Sequence, residues 1–570
     1  MNPLDKIRIH AAEKVNEALK LKLIKPDDFI YPPNPEFGDL SLAIFNLAKG
    51  QKKNPAELAK ELAGQIKADK IISEIKPAGP YLNFTIEKKF LTEAVISEIK
   101  KEKEKYGVNK SGKNKKVMVE YAHPNTHKAF HIGHLRNIIT GEAVARIMEA
   151  NGFRVIRANY QGDVGLHIAK CLWGINKLTE EYDQLENAGI DEKVKFLGRA
   201  YALGSKNYEE NPDAKTEIIE INKQIYSQDI AIKETYTKTR KWSLDYFDKI
   251  YKRLGTKFDH LYFESETQEK GKQIVLKNLE KDIFRKSAGA IIFPGEDYGL
   301  HSRVFINSEG FPTYEAKDMG LAELQFREYK PEKVIHIVAT EQNDYFKVII
   351  KAIEKVFPKL AGKEVHLPYG WVRLKEGKMS SRLGNVVLGE WLLGEVEKKI
   401  AEIMTENNHL KNTEEVIKKV SLAAVKYSIL KSSIEKEIVF NIDESISLSG
   451  SSGPYIQYTF ARIASIFRKA GEDKAKGDLK KLSHEKEHKI ILKLAKFPEA
   501  VKRAGIQSDP SEIAKYLFEL AQTVNDYYHE VPVLKADGKT KNARLVLLKN
   551  ISQVIKNGLS ILGIETLEEM

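Results

Sequence analysis

The stretch from Val117 to Asn151 constrains this chain most, because a strand pattern gives way there to a helix pattern across one short turn. Val117, Val119 and Tyr121 alternate with Met118 and Glu120, a run largely apolar on both parities. Such a run suits a strand covered on both faces, as parallel sheets bury theirs. Leu135, Ile138, Ile139, Val144, Ile147 and Met148 then recur at helical spacing as far as Asn151-Gly152, a C-terminal stop. The turn between them points a helix N-terminus into a cleft. Unpaired backbone N–H groups and a partial positive charge suit such an end to phosphates. Gly133 would let a nucleotide approach the backbone. His131 and His134 can each donate a hydrogen bond or, when protonated, a charge to an oxygen that becomes negative in a transition state.

His123, His127, His131 and His134 would form a metal face if one helix carried them all. Pro124 opposes this, since the residue before a proline is pushed out of the helical region. No metal site is expected. A second chemistry-bearing stretch, Gly377 to Asn385, follows a strand-like run, Tyr369 to Leu374. Taken together, His131-Ile-Gly-His134 resembles the HIGH signature of class I aminoacyl-tRNA synthetases, and Lys378-Met379-Ser380-Ser381 resembles their KMSKS loop, in the same order. Neighbouring residues narrow the resemblance to the arginyl-tRNA synthetase family: Glu120, the run Pro124-Asn125 to Lys128 and Phe130-His131, Asn159 to Gly165, Tyr314 with Asp318, and Glu341-Gln342 with Tyr345-Phe346. It extends over nearly the whole chain.

The resemblance implies arginine–tRNA ligation: ATP as co-substrate, with Mg2+, activates L-arginine to arginyl-adenylate, and tRNA(Arg) accepts the aminoacyl group. By this resemblance His131, Gly133, His134, Lys378 and Met379 hold ATP. His131, His134, Lys128, Lys378 and Ser380 serve catalysis, and Glu120, Asn125, Tyr314, Asp318 and Gln342 take arginine. Tyr314 and Asp318 are also four apart, so a helix there would set both on one face, where a planar guanidinium suits a carboxylate beside an aromatic hydroxyl. One departure stands out: the family's second loop lysine is Ser381 here, leaving Arg382 or Lys128 to supply the charge. Another class I synthetase, or a non-catalytic tRNA-binding protein on the same scaffold, are the alternatives.

The 570 residues suffice for three or four domains, and 42% hydrophobic content for ordinary cores. A single cysteine, Cys171, excludes an internal disulfide framework. No run approaches the roughly 18 apolar residues of a membrane span, so a cytoplasmic, non-membrane protein is expected. The net charge of +12 favours a polyanionic partner, although many lysines sit in blocks with glutamate, as at Lys100 to Lys105. The expected fold class is α/β, a doubly wound, Rossmann-type parallel sheet flanked by an N-terminal α+β module and a C-terminal all-α bundle.

The expected boundaries are 1–107, 115–388 with a helical insertion near 169–255, a helical connection at 389–450, and a bundle at 451–570. In the first module Ala43, Ile44 and Leu47 read as helical, Asn54-Pro55 as a helix start and Tyr81 to Ile86 as a strand; Tyr106 to Lys116 reads as a linker. Within the resemblance, Asn34 and Phe37 of this module and Tyr455, Tyr458 and Tyr527 of the bundle are candidates for tRNA contact, though aromatic residues at helical spacing are more often core. The family implies a monomer.

Overall fold

The structure is a computed structural model that describes residues 2–375, 382–383, 386–405, 413–471 and 477–570. At its centre five parallel strands are ordered Glu364–Tyr369, Lys333–Ala339, Lys116–Glu120, Arg154–Gln161, His260–Phe263. Strand order therefore reverses between the first strand in sequence and its neighbour Lys333–Ala339, which opens a crevice at their carboxyl ends. Val117, Met118, Val119 and Glu120 are all buried, as a strand covered on both faces requires. The helix Ile132–Ala150 follows, and its end is satisfied by Asn151. Between the strands Arg154–Gln161 and His260–Phe263 run the helices Leu166–Lys177, Ile190–Glu210, Pro212–Ser227 and Ile230–Leu254. A three-stranded antiparallel sheet, Arg285–Ser287, Ala290–Phe293 and Arg303–Ile306, precedes the helix Tyr314–Tyr329. No helix among the described residues is long and apolar enough to cross a membrane.

The N-terminal module is a four-stranded antiparallel sheet, ordered Phe29–Ile30, Leu40–Ala43, Tyr81–Ile86, Ile72–Ala78, with helices. Asn54 caps the helix Pro55–Gln65, accepting from the Ala56 and Glu57 N–H groups. Ala43 and Ile44 depart from the helical reading. Ala43 ends a strand paired to Tyr81, and the helix begins only at Phe45. The run Tyr369 to Leu374 is also split, since Val372–Leu374 leaves the main sheet to pair with Ile438–Phe440. The polar segment after residue 105 is fastened rather than free. Tyr106 is buried against Phe497, its hydroxyl donates to the Leu494 carbonyl at 2.9 Å, and Asn557 donates to the carbonyls of Lys103 and Tyr106. The C-terminal bundle comprises Gly453–Ala470, Glu485–Gln507, Ser511–Glu530 and Gly538–Ile561.

Candidate active site

His131 is the N-cap of the helix Ile132–Ala150, and with His134 it builds a capping box from two imidazoles. His131 Nδ1 accepts from the Gly133 N–H at 3.1 Å, and His134 Nδ1 accepts from the His131 N–H at 3.2 Å. Each ring therefore carries its proton on Nε2. The rings stack with centroids 3.7 Å apart. Burial, followed by the nearby Lys128, pulls His131 down to about 4; burial and then His131 pull His134 well below its ordinary value. Both shifts favour the neutral Nε2–H donor over the charged imidazolium. A Cβ at Gly133 would meet the His131 ring at 2.9 Å, so this glycine makes room for the cap. Lys128 lies in the same turn, its Nζ 5.6 Å from the Tyr201 ring. Among the described residues no group of three or more His, Cys, Asp or Glu side chains could hold a metal ion.

At the carboxyl ends of the strands lies a cavity of ≈ 430 Å³ whose lining includes Glu120, Asn125, Tyr314, Asp318 and Gln342, the five expected arginine-binding residues. Tyr314 and Asp318 are one turn apart on the helix Tyr314–Tyr329. Gln342 closes the short turn after the strand Lys333–Ala339. Asn125 bridges to Gly162, where any Cβ would strike its Oδ1 at 2.1 Å.

Charge in this cavity is largely cancelled. His336 lies between two carboxylates, its Nδ1 2.9 Å from Glu120 Oε1 and its Nε2 2.7 Å from Glu364 Oε2. Burial alone would lower the imidazole, but Glu120 and Glu364 hold it well above its ordinary range, as a cation. Gln325 donates to the other Glu120 oxygen. Lys317 pairs with Glu264 at 2.7 Å, and Arg303 with Glu315 at 3.2 Å. Of the five carboxylates that line the cavity, Asp318 alone has no ion pair among the described residues; it accepts from the Tyr345 hydroxyl at 2.7 Å. Burial raises its carboxyl to about 8, against the opposing effect of the Tyr345 hydrogen bond.

Sequence reasoning missed His336, Gln325, Glu264 and Lys317. A single histidine inside the apolar run Val334–Val338 was the only signal for the first. Arg136 was missed too. It is buried with no carboxylate partner among the described residues and donates to the carbonyls of Trp371, Ile434 and Lys436 at 2.8–2.9 Å, tying the histidine helix to the strand that leads towards residue 376. Lys378, Met379, Ser380 and Ser381 lie outside the described residues, as does the Arg382 side chain.

Of the tRNA candidates, Phe37 is 48% exposed, and Asn34 turns onto the Glu36 N–H beside it. Tyr455 and Tyr458 are half-buried, with hydroxyls that accept from Asn525 and Arg462. Tyr527 is 0% exposed and bonded to Glu487, so no base can stack on it. Its neighbour Tyr528, 40% exposed, faces outward instead, with the Arg462 guanidinium 5.0 Å from its ring and 4.8 Å from that of Tyr458.

A doubly wound sheet whose first strand leads into a two-histidine helix start, beside a cavity rich in carboxylates, defines the catalytic unit of a class I tRNA synthetase. Residues 95–442 match the family model "tRNA synthetases class I (R), catalytic domain", residues 456–570 the DALR anticodon binding domain, and residues 5–86 the arginyl tRNA synthetase N terminal domain. The arginine–tRNA ligase of Clostridium perfringens is 35% identical over 564 residues, covering 98% of this chain and 99% of that protein. That of Treponema denticola is 33% identical over 560 residues, covering 95% and 94%. The solved Thermus thermophilus arginyl-tRNA synthetase superposes with a TM-score of 0.81 at 27% identity, covering 99% of this chain and 100% of that one. The chain belongs to the arginyl-tRNA synthetase family.

Proposed function

We infer that this chain activates L-arginine with ATP and transfers it to tRNA. In the first step the arginine carboxylate attacks the α-phosphorus of ATP, and pyrophosphate leaves. In the second the terminal ribose hydroxyl of tRNA takes the aminoacyl group and AMP departs. The observation that carries this reading is Asp318, which has no counter-ion among the described residues in a cavity where the neighbouring charges are paired. A guanidinium is a planar, always-charged fork of donors that suits such a group. Tyr314 and Gln342 flank it, and Asn125 and Glu120 take the backbone groups of the amino acid.

His131 and His134 donate Nε2–H to phosphate oxygens, and Lys128 offsets charge as pyrophosphate forms, so positioning and fixed dipoles carry the rate. The role of Lys378 and Ser380 rests on the family resemblance. Mg2+ would arrive on the ATP phosphates, neutralising part of their charge. Phe37 with Asn34, and the cluster of Tyr455, Tyr458 and Tyr528, are the surfaces offered to tRNA. The protein works in the cytoplasm as a monomer.

The test is to charge total tRNA with each amino acid separately, alongside ATP–pyrophosphate exchange with and without tRNA. Charging with arginine alone is expected. Charging with another amino acid would overturn the assignment of Asp318, and tRNA binding without charging would make the chain a non-catalytic tRNA-binding protein.

A further inference from the structure

The turn between the first strand and the histidine helix contains three non-glycine residues in the left-handed region: Ala122 at φ 83°, His123 at 47° and His127 at 64°. L-residues adopt this backbone only where their surroundings over-determine it. Each of the three N–H groups is caught by a side-chain oxygen from a different element. Ala122 donates to Asn137 Oδ1, His123 to Asn159 Oδ1 at 3.2 Å, and His127 to Ser243 Oγ at 2.9 Å. Asn137 belongs to the histidine helix itself. The other two acceptors lead to one place. Ser243 lies on the last helix of the insertion, Ile230–Leu254, and Asn159 donates to the hydroxyl of Tyr251 on that same helix at 3.0 Å.

Further contacts come from the same face of that helix. Thr239 Oγ1 donates to the Thr235 carbonyl, which leaves it to accept from His127 Nε2 at 2.8 Å; His127 Nδ1 then accepts from Thr126 Oγ1 at 3.0 Å. The Tyr236 hydroxyl donates to the Asp163 carbonyl, and Arg240 Nε to the Asp163 carboxylate at 3.0 Å. Tyr236, Thr239, Arg240 and Ser243 stand at i, i+3, i+4 and i+7, the spacing of a buried stripe, yet every one is polar. A core-facing helix would carry apolar residues there. This stripe is directed at the two loops that hold Asn125, Lys128 and Gly162.

We propose that the helical insertion braces the catalytic turn: Thr239, Ser243 and Tyr251 are positioning residues that fix His123 and His127 in their left-handed conformations and so set Asn125 and Lys128. The proposal rests on the reading of the chain as an arginine-activating enzyme. Loosening the turn moves groups that matter in the transition state, so it lowers the rate of activation rather than the binding of tRNA.

The test compares full-length Thr239→Val, which keeps the shape but removes the acceptor, with Thr239→Ser, which keeps the hydroxyl. In ATP–pyrophosphate exchange Thr239→Val is expected to lose up to about 100-fold in kcat, the cost of misplacing a reacting group by roughly 1 Å. Thr239→Ser should recover most of the rate, and the KM for tRNA should stay unchanged in both. Amide hydrogen exchange over residues 121–130 gives a readout independent of activity, and it should accelerate in Thr239→Val and in Ser243→Ala. Equal impairment of the Val and Ser variants, an effect confined to the KM for tRNA, or unaltered exchange in that turn would overturn the brace. A wild-type protein inert towards arginine would sink the functional reading instead, while hydrogen exchange still decides the brace.

Discussion

If Asp318 receives the guanidinium, arginine binding must be linked to a proton. Burial holds its carboxyl at about 8, so near pH 7 the free enzyme carries it mostly protonated. The cationic ligand pairs with the ionised form, and binding must then expel the proton. The sign follows: affinity is full above pH 8 and is lost as pH falls. The KM for arginine should rise about tenfold for each pH unit below 8, or about 75-fold between pH 8.5 and pH 6, equivalent to about 2.5 kcal/mol. Burial depresses His123 and two glutamates raise His336, so both shifts run away from this window.

The assay is pyrophosphate exchange at fixed ionic strength across that range, with the KM for ATP as the internal control. Titration calorimetry in two buffers of different ionisation enthalpy should count about 0.9 proton released per arginine at pH 7, the protonated fraction for that value. Asp318→Asn should flatten the pH profile and raise the KM for arginine at pH 8.5 by about 10- to 150-fold, the loss of a charged hydrogen bond. A wild-type KM that is flat from pH 6 to 8.5, or an Asn variant that keeps the wild-type slope, would refute the assignment.

Other substitutions test the remaining parts of the site. Lys128→Met should cut kcat for activation by about 100- to 1,000-fold, on the scale of one lost transition-state donor, before it alters the KM for arginine; an unchanged rate would remove Lys128 from catalysis. His336→Leu leaves Glu120 and Glu364 buried without their cation and should lower stability by about 3–5 kcal/mol, read from urea unfolding. Arg136→Met orphans the carbonyls of Trp371, Ile434 and Lys436 and should cost about 1–3 kcal/mol for each that water cannot reach, read as a lowered Tm. Tyr528→Ala should raise the KM for tRNA while pyrophosphate exchange kinetics for arginine and ATP hold, whereas Tyr527→Phe should leave the KM for tRNA as it is.

What was legible in the sequence divides by the distance over which the physics acts. The strand Lys116–Glu120 and the helix after it were readable because burial on both faces and a 3.6-residue period leave local marks, and Tyr314 and Asp318 met because they are one helical turn apart. Short or phase-sensitive patterns misled. Four residues at Leu40–Ala43 cannot distinguish strand from helix, and of the adjacent Tyr527 and Tyr528, rotated about 100° from each other, one must face inward. The buried His336 was illegible for another reason: Glu120 and Glu364 reach it from neighbouring strands far apart in sequence, and no local pattern carries that register. The polar stripe of Ile230–Leu254 was hidden in an insertion that reads only as helical and charged.

These long-range pairings decide the chemistry, because they determine which charge is left over. From the sequence alone Glu120, Glu264, Glu315, Asp318 and Glu364 are equivalent carboxylates. Once His336, Lys317 and Arg303 have each taken their partners, Asp318 is the one that lacks a cation among the described residues of the cavity. The paired glutamates also raise the cost of ionising Asp318: Glu120 and Glu264 both push its carboxyl upward. A guanidinium repays that cost with a fork of donors and a full charge, whereas a neutral side chain leaves the carboxyl protonated. On the assignment of Asp318 to the guanidinium, selectivity then lies in the ionised form: a cationic side chain draws the carboxyl into a charged pair, and an uncharged one meets it protonated and gains only a neutral hydrogen bond.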